Sequence, residues 1–208
     1  MIREKLGCRG FSGPFPAWDD FPESGFRRSA VLVLLWGEPE YLRTILIRRP
    51  KHLNRHAGEI AFPGGKREPG DRGPVETALR EAREELGVDP QSVFPCRLLE
   101  KEYAYSSDFE ILPVLALSGS TEPPRVLIDG NEVEEVFSLP VTDCLRPTRL
   151  EWSRHGSVEF LFPVFEPSAD CRIWGATARI LWQLGRILAP VLGMKACQWS
   201  GFTFPFPG

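Results

Sequence analysis

The sequence predicts an α+β domain built on a mixed β-sheet. Two observations lead there: short apolar runs with the length of buried strands recur along the chain, and two longer segments carry apolar residues at helical spacing. The chain has 208 residues, of which 42% are hydrophobic, enough for one domain with a sizeable core. No repeat or low-complexity block divides it. We therefore expect one domain over residues 28–195, an irregular arm over 1–27 and a tail over 196–208.

The predicted strands are short runs rich in aliphatic and aromatic residues, bounded by glycine, proline or charged residues. They cover residues 30–36, 41–48, 59–62, 111–117, 134–139 and 158–165. The first, AVLVLLW, is almost continuously apolar, which is typical of a strand buried on both faces. The last alternates around Pro163, so it is predicted to lie at a sheet edge or to contain a bulge, because proline cannot donate to a ladder.

Two amphipathic helices are predicted, over residues 74–86 and 174–188. Pro74 stands where a helix tolerates a first-turn proline, and Gly87 stands where a helix C-terminus favours glycine. Each helix has one apolar stripe that we expect to face the core. The stripes consist of Val75, Leu79, Ala82 and Leu86 in the first helix and of Ile180, Leu184, Ile187 and Leu188 in the second.

The first helix also carries a cluster of carboxylates. At 100° per residue, Glu81, Glu84 and Glu85 fall within an arc of about 100° away from the apolar stripe, with Arg80 and Arg83 beside them. Like charges so placed repel by a few tenths of a kcal/mol per pair, and a divalent cation would turn that repulsion into binding. Carboxylate oxygens suit Mg²⁺ or Mn²⁺. A solvated face of Glu/Arg pairs explains the helix equally well when it is taken alone.

The loop before this helix contains Gly64 and Gly65, which permit a tight turn and close approach of backbone to a ligand. With this loop included, the segment resembles the Nudix box, Gly-x5-Glu-x7-Arg-Glu-U-x-Glu-Glu-x-Gly-U, where U is a bulky aliphatic residue. Residues 80–88, REAREELGV, match the second half. The stretch from Gly65 to Arg80 is one residue longer than the general pattern, and Asp71 stands near the expected glutamate.

The longer spacing resembles that of the box in the branch of Nudix hydrolases that acts on coenzyme A. That branch has a second motif upstream, roughly Leu-Leu-Thr-x-Arg-Ser-x3-Arg-x3-Gly-x3-Phe-Pro-Gly-Gly. Arg49, Gly58 and the FPGG of residues 62–65 match it in register. Ile47, Pro50 and Asn54 replace its Thr, Ser and second Arg, and Arg55 follows directly. The resemblance covers about residues 28–190.

The resemblance implies a Nudix-type α/β/α sandwich and a metal-dependent cleavage of coenzyme A or acyl-coenzyme A to 3′,5′-ADP and (acyl-)4′-phosphopantetheine. The implied metal ligands are Glu81, Glu84, Glu85 and the carbonyl of Gly64, and the implied catalytic residues are Glu84, Glu81 and Arg80, the last as an orienting group. The candidates for substrate binding are Arg48, Arg49 and Arg55 for phosphates and Tyr105, with neighbouring Tyr103 and Phe109, for stacking on adenine. Candidate general bases are Glu132, Glu134 and Glu135.

Two other functions remain open from the sequence: a Nudix diphosphatase for NADH or ADP-ribose, and a non-catalytic module that binds nucleotides. The net charge of −3 argues against a nucleic-acid partner, and no apolar run is long enough to span a membrane. The five cysteines are odd in number and form no CxxC, so we expect neither a disulfide framework nor a zinc site. For the same reason we expect a cytoplasmic location. The expected partner is a small nucleotide, and a homodimer is left open.

Overall fold

A computed structural model describes residues 4, 6, 8, 15–53, 55–128, 130–155 and 158–194. The strands are β1 (Arg27–Trp36), β2 (Arg43–Arg48), β3 (Ile60–Ala61), β4 (Gly64–Lys66), β5 (Val93–Leu98), β6 (Glu102–Ala104), β7 (Phe109–Ser118), β8 (Glu135–Pro140), β9 (Arg149–His155), β10 (Val158–Ser168) and β11 (Cys171–Ile173). The α-helices are α1 (Pro74–Leu86) and α2 (Gly175–Val191). Short 3-10 turns cover Trp18–Asp20, Pro39–Tyr41, Pro90–Ser92 and Val141–Cys144. The predicted tail, part of the predicted arm and Asn54 lie outside the described residues.

The larger sheet is mixed, as predicted. Its main order is β3-β2-β1-β7-β5, and β4, β6 and β8 pair with β1, β7 and β2 respectively. The central pair β1 and β7 is parallel, whereas β1 is antiparallel to β2 and to β4. A second sheet of three strands has the order β11-β10-β9.

The large sheet lies between the two helices. Along β1, Leu32 and Leu34 pack into the core that contains the apolar residues of α1, whereas Val33 and Leu35 pack into the core that contains those of α2. Successive side chains of a strand point to opposite faces, so one strand contributes to both cores. The contributions of the helices are Ala78, Ala82 and Leu86 from α1 and Ile180, Leu184 and Leu188 from α2. This layering confirms the predicted α/β/α sandwich.

The helices follow their sequence signals closely. Helix α1 spans Pro74–Leu86, with the proline in its first turn. Gly87 ends it in the left-handed conformation with φ 66°, and its N–H donates to the Arg83 carbonyl at 2.8 Å. Helix α2 begins at Gly175, one residue later than predicted, and runs three residues further, to Val191.

Other boundaries differ for identifiable reasons. Tyr41 belongs to a 3-10 turn that follows Pro39, so β2 begins only at Arg43. Strand β5 was not predicted, because Pro95 interrupts its pattern, and its register shifts between Pro95 and Arg97. Pro163 lies in β10, which has β9 on one side, while β11 reaches only the residues from Phe165 onward. Proline therefore has the local strand edge that its missing N–H requires.

One pair of cysteines is bonded, although the sequence predicted no disulfide framework. Cys8, which lies in the predicted N-terminal arm, forms a disulfide with Cys96 of β5, 88 residues further along the sequence. Leu6 is buried nearby in the core on the α2 side of the sheet. With this disulfide, the cysteines no longer support the predicted cytoplasmic location. Neither helix of the described chain has the length and apolarity needed to traverse a bilayer.

Candidate functional site

The candidate site includes strand β4, which begins with two glycines in close contact with their neighbours. Gly64 has φ +151°, and a Cβ there would lie 2.4 Å from the carbonyl oxygen of Ala30. A Cβ on Gly65 would lie 2.5 Å from the carboxyl carbon of Glu81. A side chain on Gly64 would therefore collide with neighbouring backbone, whereas one on Gly65 would displace the Glu81 carboxylate.

Glu85 is buried, with only 3% of its surface exposed, although the helical wheel places it on the solvent arc. Its Oε2 accepts a hydrogen bond from the N–H of Gly64 at 2.9 Å. Burial raises the pKa of Glu85 from its ordinary 4.5 to about 8, and the charge of Glu81 adds to the rise. The Gly64 N–H and the positive charge of Arg49 act in the opposite direction without cancelling it.

Glu81 and Glu84 share Arg80 but differ in exposure. The Glu81 side chain is 13% exposed, and burial raises its pKa despite an ion pair of 3.1 Å with Arg80 Nη2. The Glu84 side chain is 54% exposed, and its Oε2 accepts from Arg80 Nη1 at 2.8 Å. We call the side of α1 that carries Glu81, Glu84 and Glu85 the α1 wall. The Glu84 carboxylate lies on its solvent-exposed side, and those of Glu81 and Glu85 lie on its buried side.

Arg80 is fixed from behind by Asp71, the residue near the position of the expected box glutamate. Its Nε donates to Asp71 Oδ1 at 3.1 Å and its Nη2 donates to Oδ2 at 3.0 Å. Nη2 also donates to the Lys66 carbonyl at 2.9 Å. Burial acts to raise the pKa of Asp71, but the bonds from Arg80, Glu68 N–H and Thr77 outweigh it and lower that pKa. The pair thus stays ionised and rigid.

The donors on this wall fit a hard divalent cation by their chemistry. They are carboxylate oxygens, and the two buried ones have raised pKa values that a nearby cation would lower again. Within the described part of the chain, no three His, Cys, Asp or Glu side chains are already gathered closely enough to hold a metal ion. To hold one cation together, the side chains of Glu81, Glu84 and Glu85 would therefore have to adjust.

A cavity of about 800 Å³ opens over this wall. Every residue implied for metal binding or catalysis lines it: Gly64, Arg80, Glu81, Glu84 and Glu85. Among the other predicted residues, Arg49, Tyr105 and Glu132 also line it, whereas Arg48, Arg55, Glu134 and Glu135 do not. Of the three predicted phosphate-binding arginines, one lines the cavity, and of the three candidate general bases, one lines it.

The three predicted arginines have different surroundings. Arg48 donates to Glu135 Oε2 at 3.2 Å and to the Asp170 carbonyl at 3.1 Å, with its guanidinium 4.8 Å from the ring centroid of Phe137. Arg55 is exposed. Arg49 reaches the cavity, and its Nε is buried without a hydrogen-bond partner among the described residues. A buried guanidinium nitrogen without an acceptor is a candidate to bind an anionic ligand.

Aromatic rings form another side of the cavity. Tyr105 stacks on Tyr103 with centroids 5.9 Å apart and an angle of 29°, and Phe26 packs edge-on to Tyr105 at 5.8 Å. Phe109 also lines the cavity, with the guanidinium carbon of Arg27 at 4.1 Å from its ring centroid. The position of Tyr105 is compatible with stacking on a base, as its sequence position suggested.

The far side of the cavity is formed by β9 and the start of α2, which contain none of the predicted site residues. Ser153, Arg154, Trp174 and Thr177 line it. Arg179 of α2 lies beside them: its Nε donates to Glu102 Oε2 at 2.5 Å and its Nη2 donates to the Tyr103 carbonyl at 2.6 Å. These bonds tie α2 to β6 and so hold the tyrosine side of the cavity in place.

Comparisons with known proteins identify the family of the chain. The sequence profile of the NUDIX domain matches residues 26–160. A human protein named mitochondrial coenzyme A diphosphatase NUDT8 is 37% identical over 168 residues, covering 78% of this chain and 70% of that protein. A Yersinia enterocolitica protein named uncharacterized Nudix hydrolase NudL is 36% identical, covering 76% of this chain and 80% of its own length. A solved Nudix hydrolase from M. smegmatis, RenU, is 18% identical with a TM-score of 0.48, covering 63% of this chain and 81% of that one. Because the profile spans more than half of the chain and the relatives exceed 30% identity over most of it, the chain belongs to the NUDIX family.

Proposed function

We propose that the chain is a divalent-metal-dependent hydrolase that splits the diphosphate of coenzyme A or acyl-coenzyme A into 3′,5′-ADP and (acyl-)4′-phosphopantetheine. In this reaction a water oxygen bonds to one phosphorus and the bridging P–O bond breaks. The observation that carries the proposal is one cavity with the box carboxylates on one wall and Arg49 and Tyr105 on others. The name of the human relative, a coenzyme A diphosphatase, supports the choice of substrate.

The residues of the α1 wall have distinct parts in this proposal. Mg²⁺ or Mn²⁺, when bound, neutralises charge that develops on the diphosphate and lowers the pKa of a bound water. Glu81 and Glu85 would hold the ion from the buried side and Glu84 from the open side, with the Gly64 carbonyl as a further ligand. Arg80 orients Glu81 and Glu84 through ion pairs of 3.1 and 2.8 Å and does not itself need to touch substrate.

Glu132 is our candidate to accept the proton of the attacking water. It is exposed and lines the cavity, whereas Glu134 is exposed outside it. A general base typically contributes a factor of about 10² to 10⁴ in rate. We expect Glu132→Gln to lower kcat by such a factor. Glu134→Gln, the matched exchange two residues away, should leave kcat unchanged.

One assay tests the function directly. The protein is incubated with coenzyme A, acetyl-coenzyme A, NADH and ADP-ribose, each with Mg²⁺ or Mn²⁺, and the products are identified by mass. Formation of 3′,5′-ADP and phosphopantetheine at the highest kcat/KM supports the proposal. A preference for NADH or ADP-ribose would contradict it in favour of another diphosphatase, and binding without any cleavage would indicate a non-catalytic module.

A second assay tests how coenzyme A is distinguished. A charge-assisted bond between Arg49 and the 3′-phosphate is worth about 1.5–3 kcal/mol, or about ten- to more than hundredfold in affinity. We therefore expect 3′-dephospho-coenzyme A to have a higher KM than coenzyme A. Arg49→Ala should abolish that difference, while Arg48→Ala should retain it, because Arg48 is bound to Glu135 outside the cavity. Loss of the KM difference in Arg48→Ala but not in Arg49→Ala would mean that Arg48 binds the 3′-phosphate.

The cytoplasmic location and the homodimer both stay predictions. One relative is mitochondrial by its name, so localisation is a matter for microscopy of the tagged full chain. Light scattering of the purified protein decides the oligomeric state.

A further inference from the structure

The N-terminal segment 15–22 packs onto the loop that leads into α1. Trp18 is fully buried, and its backbone N–H donates to the Arg72 carbonyl at 2.8 Å. A Cβ added to Gly73 would lie 2.5 Å from the carbonyl oxygen of Pro16, so the two segments touch backbone to backbone. The segment is therefore part of the wall that supports the site.

From Trp18 a line of hydrogen bonds runs to the carboxylates of α1. The indole Nε1 donates to Thr77 Oγ1 at 3.1 Å, and the Thr77 hydroxyl donates to Asp71 Oδ2 at 2.9 Å. Asp71 accepts the two bonds from Arg80, and Arg80 in turn donates to Glu84 at 2.8 Å. Trp18, Thr77 and Asp71 are all buried, so water does not readily replace a missing bond between them.

The indole N–H fixes the position of the Thr77 hydroxyl oxygen. A hydroxyl has one proton to donate, and its oxygen accepts from Trp18, which leaves the proton directed at Asp71. Without the indole donor, nothing holds this oxygen 2.9 Å from Asp71, and the Gly73 carbonyl at 3.5 Å becomes an alternative acceptor. Asp71 would then lose a fixed contact, and the orientation of Arg80 would be less well defined.

We propose that Trp18 and Thr77 are positioning residues for the hydrolysis: they hold Asp71, and through it Arg80, in the orientation that aligns the metal-binding carboxylates. This inference rests on the proposed function. Trp18 precedes residue 26, where the match to the NUDIX profile begins, so the N-terminal segment extends the site beyond the matched domain.

The test compares Trp18→Phe, Thr77→Val and the double variant with the unmodified chain. We expect kcat for coenzyme A to fall about three- to tenfold in each single variant, since one hydrogen bond is worth about that factor. KM should stay within about twofold. The double variant should be no slower than the slower single variant, because residues that act in one line are not additive. Titration with Mn²⁺ alone, followed by electron paramagnetic resonance, should show a dissociation constant raised about threefold in both single variants.

The chain contains matched controls for both exchanges. Trp36 Nε1 and Thr44 Oγ1 are also buried, and neither has a hydrogen-bond partner among the described residues. Trp36→Phe and Thr44→Val therefore make the same chemical changes without touching the line, and kcat and the Mn²⁺ affinity should stay unchanged. Thr77→Ser, which keeps the hydroxyl, should restore both quantities.

Three results would overturn the inference: losses in Trp18→Phe and Thr77→Val no larger than in the controls, losses that multiply in the double variant, or a Thr77→Ser variant as slow as Thr77→Val. If Thr77→Val does not fold, Trp18→Phe and Thr77→Ser decide the matter. Failure of the unmodified chain to cleave any diphosphate would instead overturn the proposed function, and the Mn²⁺ titration would still test the positioning role.

Discussion

Glu85→Gln should stabilise the metal-free protein, and the gain should grow with pH. Glu85 is buried beneath β4, and its pKa in the folded state is about 8 against an ordinary 4.5. The folded state therefore keeps this proton over a range in which the unfolded chain has released it. Stability from the protonated carboxyl is complete below pH 4.5 and is lost as the pH rises towards 8. Glutamine is neutral throughout and has no such loss.

The size of the effect follows from the pKa interval. Between pH 5.5 and pH 8 the unfolded carboxyl is ionised and the folded one is largely not. This interval of roughly 2.5 pH units corresponds to about 1.36 kcal/mol per unit. With partial ionisation near pH 8 included, the gain in unfolding free energy of Glu85→Gln over the unmodified protein has an upper limit of about 3 kcal/mol. For a chain of 208 residues this is about 6–12 °C in melting temperature. The amide oxygen of glutamine can still accept from the Gly64 N–H, so the hydrogen bond at 2.9 Å is kept.

The assay is urea unfolding of both proteins in a chelating buffer at pH 5.5, 7 and 8. The difference between the two free energies of unfolding isolates Glu85 from Glu81 and Glu102, whose pKa values burial also raises. Glu84→Gln is the matched control on the same helix, because the Glu84 side chain is 54% exposed and its exchange removes little burial cost. Addition of Mn²⁺ should stabilise the unmodified protein more at pH 8 than at pH 5.5.

Parallel profiles for Glu85→Gln and the unmodified protein would refute this reasoning. They would mean that Glu85 is hydrated in the folded state, or that a neighbouring positive charge compensates its burial. A Glu84→Gln profile that diverges with pH in the same way would place the effect on the helix as a whole and not on Glu85.

Glu84→Gln should keep the fold but lower kcat by orders of magnitude, measured with saturating Mg²⁺; near-normal turnover would remove Glu84 from the metal site. Gly65→Ala should melt near the normal temperature yet be at least about tenfold slower, since its Cβ displaces only the end of a flexible carboxylate. Gly64→Ala should lower the melting temperature clearly, because its Cβ meets backbone at 2.4 Å; equal melting of the two variants would contradict this contrast. Arg179→Ala should cost about 3–5 kcal/mol in urea unfolding by leaving Glu102 buried without its ion pair.

The parts of the fold that could be predicted are those with strong local signals. Helix α1 was predicted to the residue because Pro74, Gly87 and the apolar spacing agree. Strand β9, with the sequence RLEWSRH, has no such signal, because it is mostly polar and belongs to a small separate sheet. Only the pairing with β10 makes it a strand.

The site shows a similar division. The helical wheel placed three glutamates on one side of α1, and all three line the cavity. It also placed Glu85 in solvent, because the wheel does not include the packing of β4 over that side. Arg48 and Arg49 are neighbours at the end of a strand, where adjacent side chains point in opposite directions, so the sequence could not decide which one reaches the cavity. Trp18 lies 59 residues from its partner Thr77, and no local pattern marks that contact.

The profile match ends at residue 160, whereas the sheet needs helix α2, residues 175–191, to cover one of its faces. Val33, Leu35 and Leu115 on that face are fully buried. A chain cut after residue 160 would expose them to water, at about 1.5–3 kcal/mol for each such side chain, comparable in sum to the whole stability of a domain. The segment by which this protein is recognised is therefore smaller than the segment that can fold. Domain exchanges and shortened versions for crystallisation should retain the chain at least through Val191.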